Sequence, residues 1–130
     1  MTILLVRTDQ PQAELYLYHD GALVGSYEWQ AHRQLSDTLL TKVKELLADH
    51  GLGWADIQAA GVFAGPGSFT GLRIGHTFIN ALGYGQDVPV ANAAGDNWVQ
   101  DCLSQLEKVT RFEIITPDYG RPARITTQKK

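Results

Sequence analysis

Residues 64–75 read "AGPGSFTGLRIG". Four glycines and a proline fall in these twelve residues, directly after the apolar run "IQAAGVFA" of 57–64. A strand that ends in a glycine-rich turn and opens into a helix has two uses. Its backbone N–H groups can hold an anion at the helix N-terminus. Alternatively, the glycines only reverse the chain and let other backbone come close. The residues favour the second use. No lysine follows where a P-loop needs one, and Gly65, Gly67 and Gly71 are spaced GxGxxxG rather than GxGxxG. Pro66 also lacks an N–H in the middle of the loop. Gly65, Gly67 and Ser68 are the only positions here that a cofactor could use, and Ser68 is placed to cap the helix that follows.

That helix is expected to run from Ser68 to about Gly83. It carries apolar groups on two sides. Phe69, Leu72 and Ile79 sit together with His76 among them; Ile74, Phe78 and Ala81 lie on a flank turned by about 150°, with Leu82 at its edge. A helix that is apolar on two sides is buried on two sides. One flank covers a sheet, and the other needs the first helix or a second polypeptide. Gly71 and Gly75, four apart, leave one side of the helix open to a close neighbour.

The first helix is expected over 35–50, where Leu35, Leu39, Val43 and Leu46 share a face with Leu40 and Leu47 at its edge. Gly51 stops it. Before it, residues 2–8, 13–19 and 22–29 read as strands, the last two joined by Asp20-Gly21, a two-residue hairpin signal. After the glycine loop come a short strand "VPVAN", a helix over about 96–108 and a further strand "RFEIIT". Three strands in a meander, followed by helix–strand alternation, make a mixed sheet with helices packed on it. The expected fold is α/β, a ribonuclease-H-like or actin-like half-module in one domain.

Bulk properties agree. The chain has 130 residues, 44% hydrophobic and 19% charged, a globular composition. Its apolar runs are too short to span a bilayer, and one cysteine permits no internal disulfide. A cytoplasmic setting is the expectation. The net charge of −3 disfavours strong direct binding of nucleic acid. Arg121, Arg124, Lys129 and Lys130 form the one local basic cluster, read as a solvated tail.

Other chemistry finds little footing. His19, His32, His50 and His76 include no i, i+4 pair of the helical metal type, so no metal site is expected. Ser68 stands in Gly-Ser-Phe, not in a nucleophile elbow. Asp9, Asp20 and Glu28 read as exposed acids that do not form an acid/base couple. Cys102 lies among Val99, Leu103 and Leu106 and reads as a core thiol. Trp29, Trp54 and Trp98 are too scattered to form a stacking platform. No catalytic residue is assigned.

The loop "GPGSFTGLRIG" closely resembles the signature of the TsaB (YeaZ) family, glycoprotease-like relatives of TsaD in the machinery that makes threonylcarbamoyladenosine in tRNA. The segments "MTILLVRT", "LLTKVKELLADHGLGWADIQAAGVFAGPGSFTG" and "VPVANA" resemble the family's opening strand, its first helix through central strand, and its following strand. The resemblance covers roughly residues 1–95. It implies a non-catalytic scaffold or activator of adenosine 37 modification that pairs with a TsaD-like enzyme through its first two helices. ATP and metal would sit on that partner and none on this chain; a TsaE-like ATPase is a further expected partner. The residues expected at the interface are Leu39, Leu40, Val43, Leu47, Leu72, His76 and Ile79. Two alternatives stay open: a small nucleotide-binding, ATPase-like protein using the Gly65–Gly71 loop, and a homodimer with a changed role.

Two departures from the family pattern stand out. Where the family has an acid serving metal–phosphate chemistry in related ATPases, this chain has Arg7, Thr8 and Asp9; an arginine has no lone pair to offer Mg²⁺. Where the family has His-Ser before its first long helix, it has Leu35-Ser36. Family members also continue into a second half-module. The expectation is a shortened member that lacks most of the C-terminal lobe and keeps a terminal segment at about 110–130.

Overall fold

The structure, a computed structural model, describes residues 1–119. Eight main elements follow in order: β1 (Thr2–Arg7), β2 (Gln12–His19), β3 (Ala22–Gln30), α1 (Leu35–Asp49), β4 (Ala59–Phe63), α2 (Phe69–Gln86), β5 (Val90–Ala93) and α3 (Trp98–Lys108). The sheet order is β3-β2-β1-β4-β5. The first three strands pair antiparallel, and β1–β4 and β4–β5 pair parallel. The β2–β3 turn places Asp20 and Gly21 at φ 52° and 84°, the primed-turn geometry that the Asp-Gly pair favours. The order and direction of pairing make this the ribonuclease-H-like fold expected.

Alternation along β1 divides the interior. Leu4 and Val6 face α1 and α2, in a cluster with Leu39, Val43, Leu47, Val62 and Ile79. Ile3 and Leu5 face the other way, toward Trp98, Cys102 and Leu106 of α3. Two helices therefore cover one side of the sheet and one helix the other. The strands β1 and β4 are apolar on both sides because both their faces are covered.

Two expectations need correction. Helix α2 continues to Gln86, one turn beyond Gly83, and ends where Asp87 takes a left-handed conformation. Residues 111–116, expected as a strand, pair with none. Together with residues 117–119 they run as a strap across α2, the end of β5 and the glycine loop. The reason lies in the side chains. A strand would turn Phe112 and Ile114 to one side; instead Phe112 and Ile115 pack on the α1–α2 cluster, and Ile114 is exposed. Amide side chains replace strand partners, since Asn80 makes two hydrogen bonds to the backbone of Ile115 and Asn92 bonds the Thr116 carbonyl. The basic cluster Arg121 to Lys130 and the far part of the expected terminal segment lie outside the described residues.

Candidate functional site

The two flanks of α2 meet different surroundings. Leu72, His76 and Ile79 lie inward and are buried, as are Gly71 and Gly75. A Cβ on Gly71 would stand 2.0 Å from the Thr8 carbonyl oxygen, and one on Gly75 would stand 2.2 Å from Thr8 Oγ1. The neighbour that these glycines admit is thus Thr8, the residue that follows the chain's own β1. Thr8 Oγ1 donates to the Gly71 carbonyl there at 2.8 Å.

The outward flank carries Ile74, Phe78 and Ala81, with Leu40 of α1 beside them. Of the seven residues expected at an interface, only Leu40 is exposed, at 53%. Leu39, Val43, Leu47, Leu72, His76 and Ile79 are all buried in this chain's own core. A partner could reach those six only by opening the fold. The apolar surface left over is elsewhere on the same two helices. Leu40 and Phe78 form a ridge between two depressions. One, of about 470 Å³, is lined by Ser36, Leu40, Thr70, Arg73, Ile74 and Phe78 among others; the second, of about 260 Å³, is lined by Leu40, Trp54, Phe78, Ala81 and Leu82 among others. Trp54 meets Phe78 edge-on with ring centroids 6.2 Å apart. An apolar ridge and hollows rimmed by polar groups suit a protein partner.

The glycines of α2 do not orient it from sequence: Gly71 lies seven residues before Phe78 and Gly75 four before Ile79, so these two fall between the flanks, and Gly85 lies on the outward one. Trp54 likewise carried no pattern that would place it here.

The glycine loop is occupied by the chain itself. Gly65 sits at φ +114°, and a Cβ there would stand 2.1 Å from the Asp118 carbonyl oxygen of the strap. Asp118 N donates to the Ala64 carbonyl at 2.7 Å. A Cβ on Gly67 would stand 2.5 Å from Asp9 Cβ. Ser68 caps α2 by accepting from Gly71 N at 3.2 Å. Each of Gly65, Gly67 and Ser68 therefore has an internal contact that accounts for its residue type.

Asp9, expected to be exposed, is buried, since its carboxylate is neutralised by Arg7. Arg7 Nε donates to Asp9 Oδ1 at 2.8 Å and Nη2 to Oδ2 at 3.2 Å. The guanidinium also lies 4.0 Å from the Phe63 ring centroid. The hydrogen bond to Asp9 raises the Arg7 pKa above its ordinary value, against the effect of partial burial. The end of β1 next to the glycine loop thus holds a closed ion pair.

The remaining candidates have structural roles. His76 is buried; its Nδ1 donates to the Leu72 carbonyl at 2.8 Å, and burial pulls its pKa below 6.5. Cys102 is fully buried, and burial pushes its thiol up to about 12. Asp20 pairs with the amino group of Met1, and Glu28 accepts from Gln12. Among the described residues no three His, Cys, Asp or Glu side chains gather as a metal-binding group, and no helix is long and apolar enough to cross a membrane.

Comparison with known proteins agrees with this fold. The family model for TsaD, tRNA N6-adenosine threonylcarbamoyltransferase, matches residues 29–93, half of the chain. The tRNA threonylcarbamoyladenosine biosynthesis protein TsaB of Haemophilus influenzae is 33% identical over 90 residues, 69% of this chain and 38% of that protein. TsaB of Escherichia coli is 32% identical over the same shares. The chain thus spans about two fifths of the length of these curated relatives. The solved structure of YeaZ from Pseudomonas aeruginosa superposes with a TM-score of 0.67 at 28% identity, over 72% of this chain and 43% of that one. RuvC of Thermus thermophilus, in complex with a Holliday junction substrate, shares the fold at a TM-score of 0.52, 11% identity, and 92% and 85% coverage. The matched stretch of the family model holds α1, β4, the glycine loop, α2 and β5, the elements that build the ridge and its support; with TsaB relatives 32–33% identical over 69% of this chain, the chain belongs to the TsaB/YeaZ family.

Proposed function

We propose that this chain is a non-catalytic scaffold or activator in tRNA threonylcarbamoyladenosine biosynthesis, and that it binds a TsaD-like enzyme through the outward face of α1 and α2. The observation that carries the reading is the Leu40–Phe78 ridge with its two apolar hollows. The relatives named for this pathway supply the partner class. The reading leaves ATP, metal and the transfer chemistry to the partner. Arg7, where a related ATPase would place a carboxylate, and the self-filled glycine loop support that division of labour.

The energetics suit a modest docking face. Shielding about 500 Å² of apolar surface per chain gains roughly 12 kcal/mol at the usual coefficient, and association costs offset much of it. Central apolar anchors dominate such interfaces, so a charge at the ridge should cost at least about 2 kcal/mol of binding.

The test is a titration of the full chain with the TsaD-like protein of the same organism. Leu40→Arg and Phe78→Arg should each weaken the complex by about thirtyfold or more, while circular dichroism and thermal unfolding stay near the parent. Unchanged affinity in both variants would refute the assignment. Self-association of the chain, lost in the same variants and indifferent to the TsaD-like protein, would favour a homodimer instead.

A further inference from the structure

Hydrogen bonds hold the strap to α2, β5 and the glycine loop. Asn80 Nδ2 donates to the Ile115 carbonyl at 2.9 Å, and Asn80 Oδ1 accepts from Ile115 N at 3.0 Å. Asp118 N donates to the Ala64 carbonyl. Asn92 Nδ2 donates to the Thr116 carbonyl at 2.7 Å, and the same nitrogen lies 3.1 Å from His76 Nε2.

The proton positions follow from the acceptors. A carbonyl can only accept, so His76 Nδ1, 2.8 Å from the Leu72 carbonyl, carries the ring proton. Nε2 is then a bare acceptor. The two protons of Asn92 Nδ2 go one to Nε2 and one to the Thr116 carbonyl, which fixes the amide's orientation. Protonating the ring puts a donor at Nε2, facing the Asn92 donor. Turning the amide over satisfies Nε2–H with Oδ1, but then sets Oδ1 against the Thr116 carbonyl, acceptor against acceptor. In the first arrangement the ring and the amide repel, and in the second the hold on Thr116 is lost.

From this geometry we propose that His76 and Asn92 form a proton-operated latch on the strap, closed while the imidazole is neutral and opened when it gains a proton. The ionisable groups on the surrounding elements leave the ring neutral. Cys102 on α3 is a buried neutral thiol, and Arg7 and Asp9 at the end of β1 neutralise one another. Arg73 points from the exposed side of α2, and the strap carries Arg111 and Glu113, which pair with each other at 3.8 Å, and Asp118. Burial is the larger influence on His76 and the Leu72 hydrogen bond the smaller.

The sign is that of a group whose folded pKa lies below its unfolded one. The latch contributes fully above about pH 6.5 and weakens as pH falls from there toward the lower folded value. Opening reaches the docking face, because Tyr119 stacks on Phe69 with centroids 4.4 Å apart, and Arg73, which lines the larger hollow, lies 5.5 Å from that same ring centroid.

Amide hydrogen exchange on the full chain tests this without any partner. Protection factors, corrected for intrinsic exchange, are compared at pH 7.5 and 5.0 for Ile115 and Asp118 against the amides of β1. Strap protection should fall about tenfold, roughly the net worth of one hydrogen bond, with β1 unchanged. His76→Gln should remove that pH dependence. Should that variant not fold, Asn92→Ala should show at pH 7.5 the weak strap protection that the parent shows at pH 5.0, with β1 still protected. The latch is overturned if parent strap protection is equal at both pH values, if strap and β1 lose protection together, or if Asn92→Ala keeps the parent's pH dependence.

Discussion

At Gly65 the backbone stands at φ +114° with the Asp118 carbonyl of the strap against its Cα. Any side chain there meets both conformational strain and a backbone collision. Gly65→Ala should therefore destabilise the fold by about 2 kcal/mol or more, read as a lowered urea midpoint. Arg7 tests a different requirement. Removing it leaves the Asp9 carboxylate, 8% exposed, without its partner, and Arg7→Ala should cost about 1–3 kcal/mol. Asp9→Asn, which leaves no stranded charge, should cost less in the same denaturation series. The role of Gly65 as a turn residue was legible in the sequence, since a glycine beside a proline after an apolar run has few other uses. The reason for it was not, because the strap comes from more than fifty residues away. Burial of Asp9 was hidden for the same kind of reason. Thr8 alone separates it from Arg7, yet only the pairing of β1 with β4 carries both under the glycine loop.

On the scale of single elements, α2 poses the sharpest contrast. Neighbours Phe78 and Ile79 are both large and apolar, and only Ile79 is fully buried. Ile79→Ala should lose about 2–5 kcal/mol of stability through the cavity it leaves. Phe78→Ala should leave thermal stability within a kcal/mol or so and act on association instead. Calorimetry paired with the binding titration separates the two. Helical period showed both flanks but could not by itself orient the helix, since an apolar stripe is the same whether a sheet or a partner covers it. Similarly, Leu40 and Leu47 both fell at the edge of the α1 stripe, and only packing against β2 and β3 buries one and exposes the other. The strap failed as a strand because three apolar residues in six satisfy more than one period.

For the molecule as a whole, the antiparallel meander and the mixed sheet were readable from the strand and helix order, because short connections leave few topologies, whereas which strand lies beside which came only with the structure. The positions of α1 and α2 on one side and α3 on the other also yield a chemical probe. Cys102 is sealed between α3 and β4, its thiol raised to about 12 and its Sγ directed at the Val62 carbonyl. In native buffer at pH 8 a thiol reagent should label it at the rate of unfolding rather than at the rate of a free thiol. Rapid labelling with the fold intact would show α3 to open independently.

The division of β1 between two clusters bears on how the protein melts. Successive residues of one strand supply the interior on opposite sides, so neither half-core can dissolve while the other keeps its central plank. A scanning calorimeter should accordingly record a single all-or-none transition, with the measured enthalpy equal to the van't Hoff value.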